Sequence, residues 1–152
     1  MKLTNAAIYD LITVINKFGG AKGRTAFVFF RALRKLQDEI KDCDEQKNKL
    51  IQKYGKEVEN GIVIPRDDQE ANDKFIKEFY PILFSIIEVD IPQLTEDEFN
   101  SLYDIAPEDA TMNDYALLDA FMVEHPAVEK KDEKADKLEK IDAEVVDDKA
   151  AE

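Results

Sequence analysis

The sequence has one cysteine, Cys43, and one histidine, His125. A single thiol has no intramolecular partner, and one Cys with one His cannot supply the usual ligands of a zinc site. Disulfide scaffolds and structural zinc modules are therefore excluded, and a reducing compartment is expected. Serine is scarce too, with Ser85 and Ser101 alone, and the histidine stands directly before Pro126. No acid–base pair or nucleophile triad can be assembled from that set. No catalytic residue, metal ligand or cofactor is assigned, and the chain reads as a non-enzyme. No apolar run reaches the roughly 18 residues of a membrane span, and Met1 to Phe18, which carries Asp10, lacks a cleavage pattern. A cytoplasmic protein that neither spans nor binds membranes is expected.

Positive charge is missing from one long stretch. Glu88 to Glu124 holds eleven Asp and Glu and no Lys or Arg, whereas Met1 to Lys35 holds seven Lys and Arg against the single acid Asp10. Opposed segments can attract each other within a fold or between copies, and a net charge of -13 repels nucleic acid and favours basic partners.

Helical spacing organises most of the chain. Ile8, Leu11, Ile12, Ile15 and Phe18 predict a first helix capped by Thr4 or Asn5, with Gly19-Gly20 as a left-handed stop. A second helix is expected from Lys22–Thr25 to Tyr54, ending before Gly55. Along it Ala26, Phe29, Leu33, Leu36, Ile40, Cys43, Lys47, Leu50 and Tyr54 recur in steps of three and four, a heptad seam along which something must lie. Phe27, Val28 and Phe30 widen the apolar surface of its first half, which predicts wrapping by several elements. Asn60-Gly61 between branched residues predicts a β-hairpin with both turn positions at positive φ. Asp67-Asp68 opens a third helix containing Phe75, Ile76, Phe79, Tyr80 and Leu83, which Pro81 should kink or end. Ile87, Val89 and Ile91 alternate with acids and read as an edge strand able to join the hairpin. Thr95 and Glu98 form a capping box for a short fourth helix burying Phe99, Leu102 and Tyr103. A fifth, beginning between Glu108 and Asp114, buries Tyr115, Leu118, Phe121 and Met122 and stops at His125-Pro126. The expected architecture is an α+β, mainly α domain over 1–125: an antiparallel helical bundle built on one long helix, with a hairpin or three-stranded sheet. Residues 126–152, rich in Lys, Asp, Glu and Ala, read as a charged, disordered tail in which Leu138, Ile141 and Val145 form a thin stripe.

Two sets of charged residues are candidates for binding. Glu96, Asp97, Asp104, Glu108, Asp109, Asp114 and Asp119 suit a basic protein partner, or imitate a phosphate backbone toward a nucleic-acid-binding protein. They lack the alternating Asp loop with a central Gly and closing Glu of an EF-hand calcium site. Lys22, Arg24, Arg31, Arg34 and Lys35 follow the glycine-rich start of the second helix, where free amides and cations would suit an anionic, phosphorylated small molecule. The spacing is not that of a P-loop. Cys43, on the seam, is read as structural.

The order of features also carries a resemblance. A short first helix, Arg31-Ala-Leu-Arg-Lys-Leu36, Lys49-Leu-Ile-Gln-Lys-Tyr-Gly55, an Asn-Gly turn and Ile86-Ile-Glu-Val-Asp-Ile-Pro92 resemble small helical accessory and virion-associated proteins of tailed phages and prophages of Gram-positive bacteria, over about Leu3 to Met122. The resemblance implies a phage accessory protein acting in the bacterial cytoplasm and brings no catalytic or binding residues with it. The leading expectation is a non-enzymatic phage-type protein-binding module, a host-protein inhibitor, as in anti-defence, or an assembly accessory, using the seam and the acidic surface. An anion-sequestering protein and a structural homo-oligomer subunit are the alternatives.

Overall fold

A computed structural model describes residues 1–126, and the tail expected to be disordered lies, from residue 127 onward, outside the described residues. The chain forms β1 (Lys2–Thr4), α1 (Asn5–Lys17), α2 (Gly23–Tyr54), β2 (Lys56–Val58), β3 (Gly61–Val63), α3 (Gln69–Leu83), β4 (Ile86–Glu88), α4 (Glu96–Ser101) and α5 (Met112–Met122), with a 3₁₀ turn at Leu102–Ile105. It is an α+β protein, mainly α, as its periodicity predicts.

The three longer helices bury their apolar stripes on one another. Thr4 caps α1 by accepting the Ala7 N–H at 3.1 Å, and the helix buries Ile8, Leu11, Val14 and Ile15. α1 runs against α2: the Tyr9 hydroxyl donates to the Asp44 carboxylate, while Ile15 and Phe18 lie beside Phe29 and Leu33. α3 covers the second half of α2, where Lys53 and the Tyr54 hydroxyl both reach Glu78, the latter at 2.7 Å. Phe29, Leu36, Ile40 and Cys43 are buried between these helices. What lies along the seam is therefore the chain itself, and the seam is not open to a partner. Wrapping of the first half of α2 is incomplete. Val28 is buried, but Phe27 is 63% and Phe30 55% exposed.

Several local expectations are corrected. Gly19 and Gly20 do not take positive φ; the first left-handed residue is Gly23, at φ 61. In the hairpin, Val58 pairs with Gly61, so the turn residues are Glu59 and Asn60, with Gly61 alone at positive φ. α3 continues through Pro81 to Leu83, since only its last turn lies beyond the missing donor. The alternating segment does not join the hairpin. β4 pairs antiparallel with β1, Leu3 opposite Ile87, giving two separate two-stranded sheets. Asn5, buried at the start of α1, donates its side-chain amide to the Ile82 carbonyl at 2.9 Å and to the Ser85 hydroxyl at 3.2 Å, and the Met1 ammonium donates to the Val89 carbonyl at 2.7 Å. These bonds carry the chain after α3 back to the N-terminus and away from the hairpin.

Candidate functional site

The acidic segment forms one lobe at the α1–α2 end of the bundle. Thr95 and Glu98 make the predicted capping box of α4, and Thr111 and Asp114 make a second one at α5 that the sequence reading missed. Leu94 and Val123 form an isolated parallel bridge, with the Leu94 N–H donating to the Met122 carbonyl at 2.6 Å, which ties the end of α5 to the segment leading into α4. The lobe is held to the basic half of the molecule by charge. Lys17 lies 3.0 Å from Asp114, Arg24 pairs with Glu98, and Lys35 donates to the Asp90 carbonyl at 2.7 Å. The opposed segments thus meet within one chain.

That closure divides the seven acidic candidates. Asp114 is 7% exposed and holds Lys17 and the Thr111 N–H, so it is an internal fastening and leaves the surface set. The Thr111 N–H and the Lys17 ammonium keep its carboxyl below the usual carboxylate range. Glu98, absent from the predicted set, is lowered in the same sense, chiefly by the Arg24 guanidinium. Asp119 is half-buried and lies 3.3 Å from the His125 ring. Glu96, Asp97, Asp104, Glu108 and Asp109 are exposed and make no ion pair among the described residues.

The same segment carries an apolar recess of about 260 Å³, lined by Phe99, Asn100, Tyr103 and Tyr115. Tyr115 stacks edge-on against the buried Phe18 with ring centroids 5.6 Å apart, and Phe99 lies edge-on to Tyr115 at 6.3 Å. The floor of the recess is therefore anchored in the core. Tyr103, expected to be buried, is instead 80% exposed, on the 3₁₀ turn that follows α4. Met112, in the first turn of α5, is 82% exposed. Helical spacing places Tyr103 in the core, and nothing local marks it as an exception.

The basic candidates fare differently. Arg24 and Lys35 are engaged by Glu98 and Asp90, leaving Lys22, Arg31 and Arg34 exposed without an ion pair among the described residues. The recess at the start of α2 is lined by Ala21, Lys22, Thr25, Leu102, Asp104 and Ile105. The chain's own Asp104 carboxylate thus stands where an anion would approach, which counts against a phosphate site. Cys43 is buried, and burial pushes its thiol up, away from the range of a reactive thiolate. Among the described residues no three His, Cys, Asp or Glu side chains gather as a metal site needs, and no helix is long and apolar enough to cross a membrane. No protein-family profile, curated protein or solved structure matches the chain.

Proposed function

We infer that this chain is a non-enzymatic protein-binding module of the phage accessory type, acting in the bacterial cytoplasm as a host-protein inhibitor or assembly accessory, and that it grips a basic partner with its acidic lobe. The observation that carries the reading is the aromatic recess of Phe99, Tyr103 and Tyr115 within the one segment whose Glu96, Asp97, Asp104, Glu108 and Asp109 are exposed without an ion pair among the described residues. An aromatic centre with a polar rim is the usual anatomy of a protein interface, where a few large side chains contribute most of the affinity and the rim charges steer approach. Tyr103 suits the centre, since it presents a flat apolar face and a cation-binding ring with little rotamer entropy to lose.

The test is retention of a basic protein from bacterial lysate by the immobilised full chain, compared with Tyr103→Ala and with Glu96→Lys/Asp104→Lys/Glu108→Lys. Tyr103→Ala should lower affinity by about 2 kcal/mol at unchanged salt sensitivity, and the charge reversal should slow association and flatten its dependence on salt. Equal retention by all three proteins, or turnover of a substrate by the purified chain, would overturn the reading.

A further inference from the structure

A second face, separate from the acidic lobe, has the build of a docking surface. Phe27, Phe30, Arg31 and Arg34 stand at helical spacings of three and four and form one contiguous patch on the outside of α2, all four exposed. Phe30 is also the lip of an apolar groove of about 180 Å³ between α1 and α2, lined by Ile15, Phe18, Ala26, Phe29 and Leu33. Two exposed phenylalanines beside an apolar groove, flanked by two arginines, fit a segment that is aliphatic on one side and acidic on its flanks.

We propose that residues Leu138 to Val146 of this same chain occupy that face. Read at helical spacing, Leu138, Ile141 and Val145 fall on one side, with Asp142 and Glu144 beside them. From Leu138 to Glu152 there are six acids against Lys140 and Lys149, a charge opposite to that of the Arg31–Arg34 patch. The described chain also leaves the fold in the right place. Glu124, two residues before the end of the described chain, lines the same cleft as Arg24 in the first turn of α2, Asp90 and Met1. From Arg24 to Phe30 the helix rises only about 9 Å, while the residues between Pro126 and Leu138 can span roughly 40 Å. A tether of that length holds its end at roughly millimolar effective concentration, so a contact too weak to form between separate molecules forms within one. The acidic face of the segment would meet Arg31 and Arg34 while its aliphatic side covers Phe30 and the groove behind it.

The absence of tryptophan from the sequence supplies a reporter: in the full chain, Phe30→Trp places a single indole on this face. With the remaining sequence intact, its emission is expected to be blue-shifted and shielded from acrylamide. Adding Ile141→Asp and Val145→Asp, which lie outside the described core, should shift the emission to longer wavelength and raise the quenching to that of a solvent-exposed indole. Arg31→Glu/Arg34→Glu should do the same at low salt while circular dichroism reports an unchanged helical content. An indole equally exposed with and without the tail substitutions would overturn the proposal. Shielding that disappears on dilution would also overturn it, because that outcome assigns the occupant to a second copy.

Discussion

Gly55 shows how a residue can be indispensable for a reason its backbone angles do not reveal. It closes α2 with an extended backbone at φ -82, so no left-handed turn requires glycine there. A Cβ at this position would instead lie 2.4 Å from the Ile51 carbonyl oxygen and 2.6 Å from the Ile62 side chain. Gly55→Ala is expected to destabilise the protein by about 1–3 kcal/mol, read as a lower urea midpoint; an unchanged midpoint would show that the hairpin yields freely. Asp114 is the counterpart among polar residues. Because its folded-state pKa is depressed, the stability it contributes is present above the unfolded value of about 3.9 and is lost as the pH falls below it. Asp114→Asn should therefore cost roughly 1–3 kcal/mol at pH 7, with the difference from the parent shrinking toward pH 2. A gap that stayed constant across that range would exclude ionisation as the cause.

Among the elements, α3 carries a defect that can be repaired. Pro81 is exposed and third from the end of the helix, where it removes the N–H that would bond the Lys77 carbonyl. Pro81→Ala restores that donor without creating a cavity and should raise the unfolding free energy by about 1 kcal/mol, read as a higher urea midpoint, less than an interior helix position would yield because Pro81 sits in the last turn. A lower midpoint would mean that the proline sets the path from α3 into β4. The helices themselves were legible: Thr4, Asp68 and Thr95 cap where short-range patterns place caps, because a capping bond joins residues only two or three apart. Strand pairing was not. β1 and β4 are separated by most of the chain, and their union depends on α1, α2 and α3 delivering Met1 to Val89. The hairpin formed where expected, but all six of its strand residues are exposed, so no buried face held the turn to the predicted position.

For the molecule as a whole, charge is the largest variable. A net charge of -13 makes the compact state repel itself, while the closing pairs Lys17–Asp114 and Arg24–Glu98 involve carboxylates that are largely shielded from solvent. Salt should therefore screen the general repulsion more than the fastening pairs, and the thermal midpoint should rise by a few degrees on going from about 10 mM to 200 mM sodium chloride. A falling midpoint would show that the cross-chain ion pairs outweigh the repulsion. The same balance governs the candidate site. Asp114 and Glu98 are drawn inward by Lys17 and Arg24, whereas Glu96, Asp97, Asp104, Glu108 and Asp109 face solvent without an ion pair among the described residues.

By itself the sequence determined the helices, the N-terminal caps of α1, α3 and α4, the buried stripe from Phe29 to Cys43 and the segregation of charge into a basic beginning and an acidic later segment, all of which follow from spacing and composition within a few turns of chain. Only the tertiary structure decided which acids are fastenings and which are surface, that β4 belongs to β1, and that Tyr103, Phe27 and Phe30 face outward. Those outcomes depend on which residues distant in sequence arrive at the same place, and an apolar or charged side chain carries no local mark of the company it will keep.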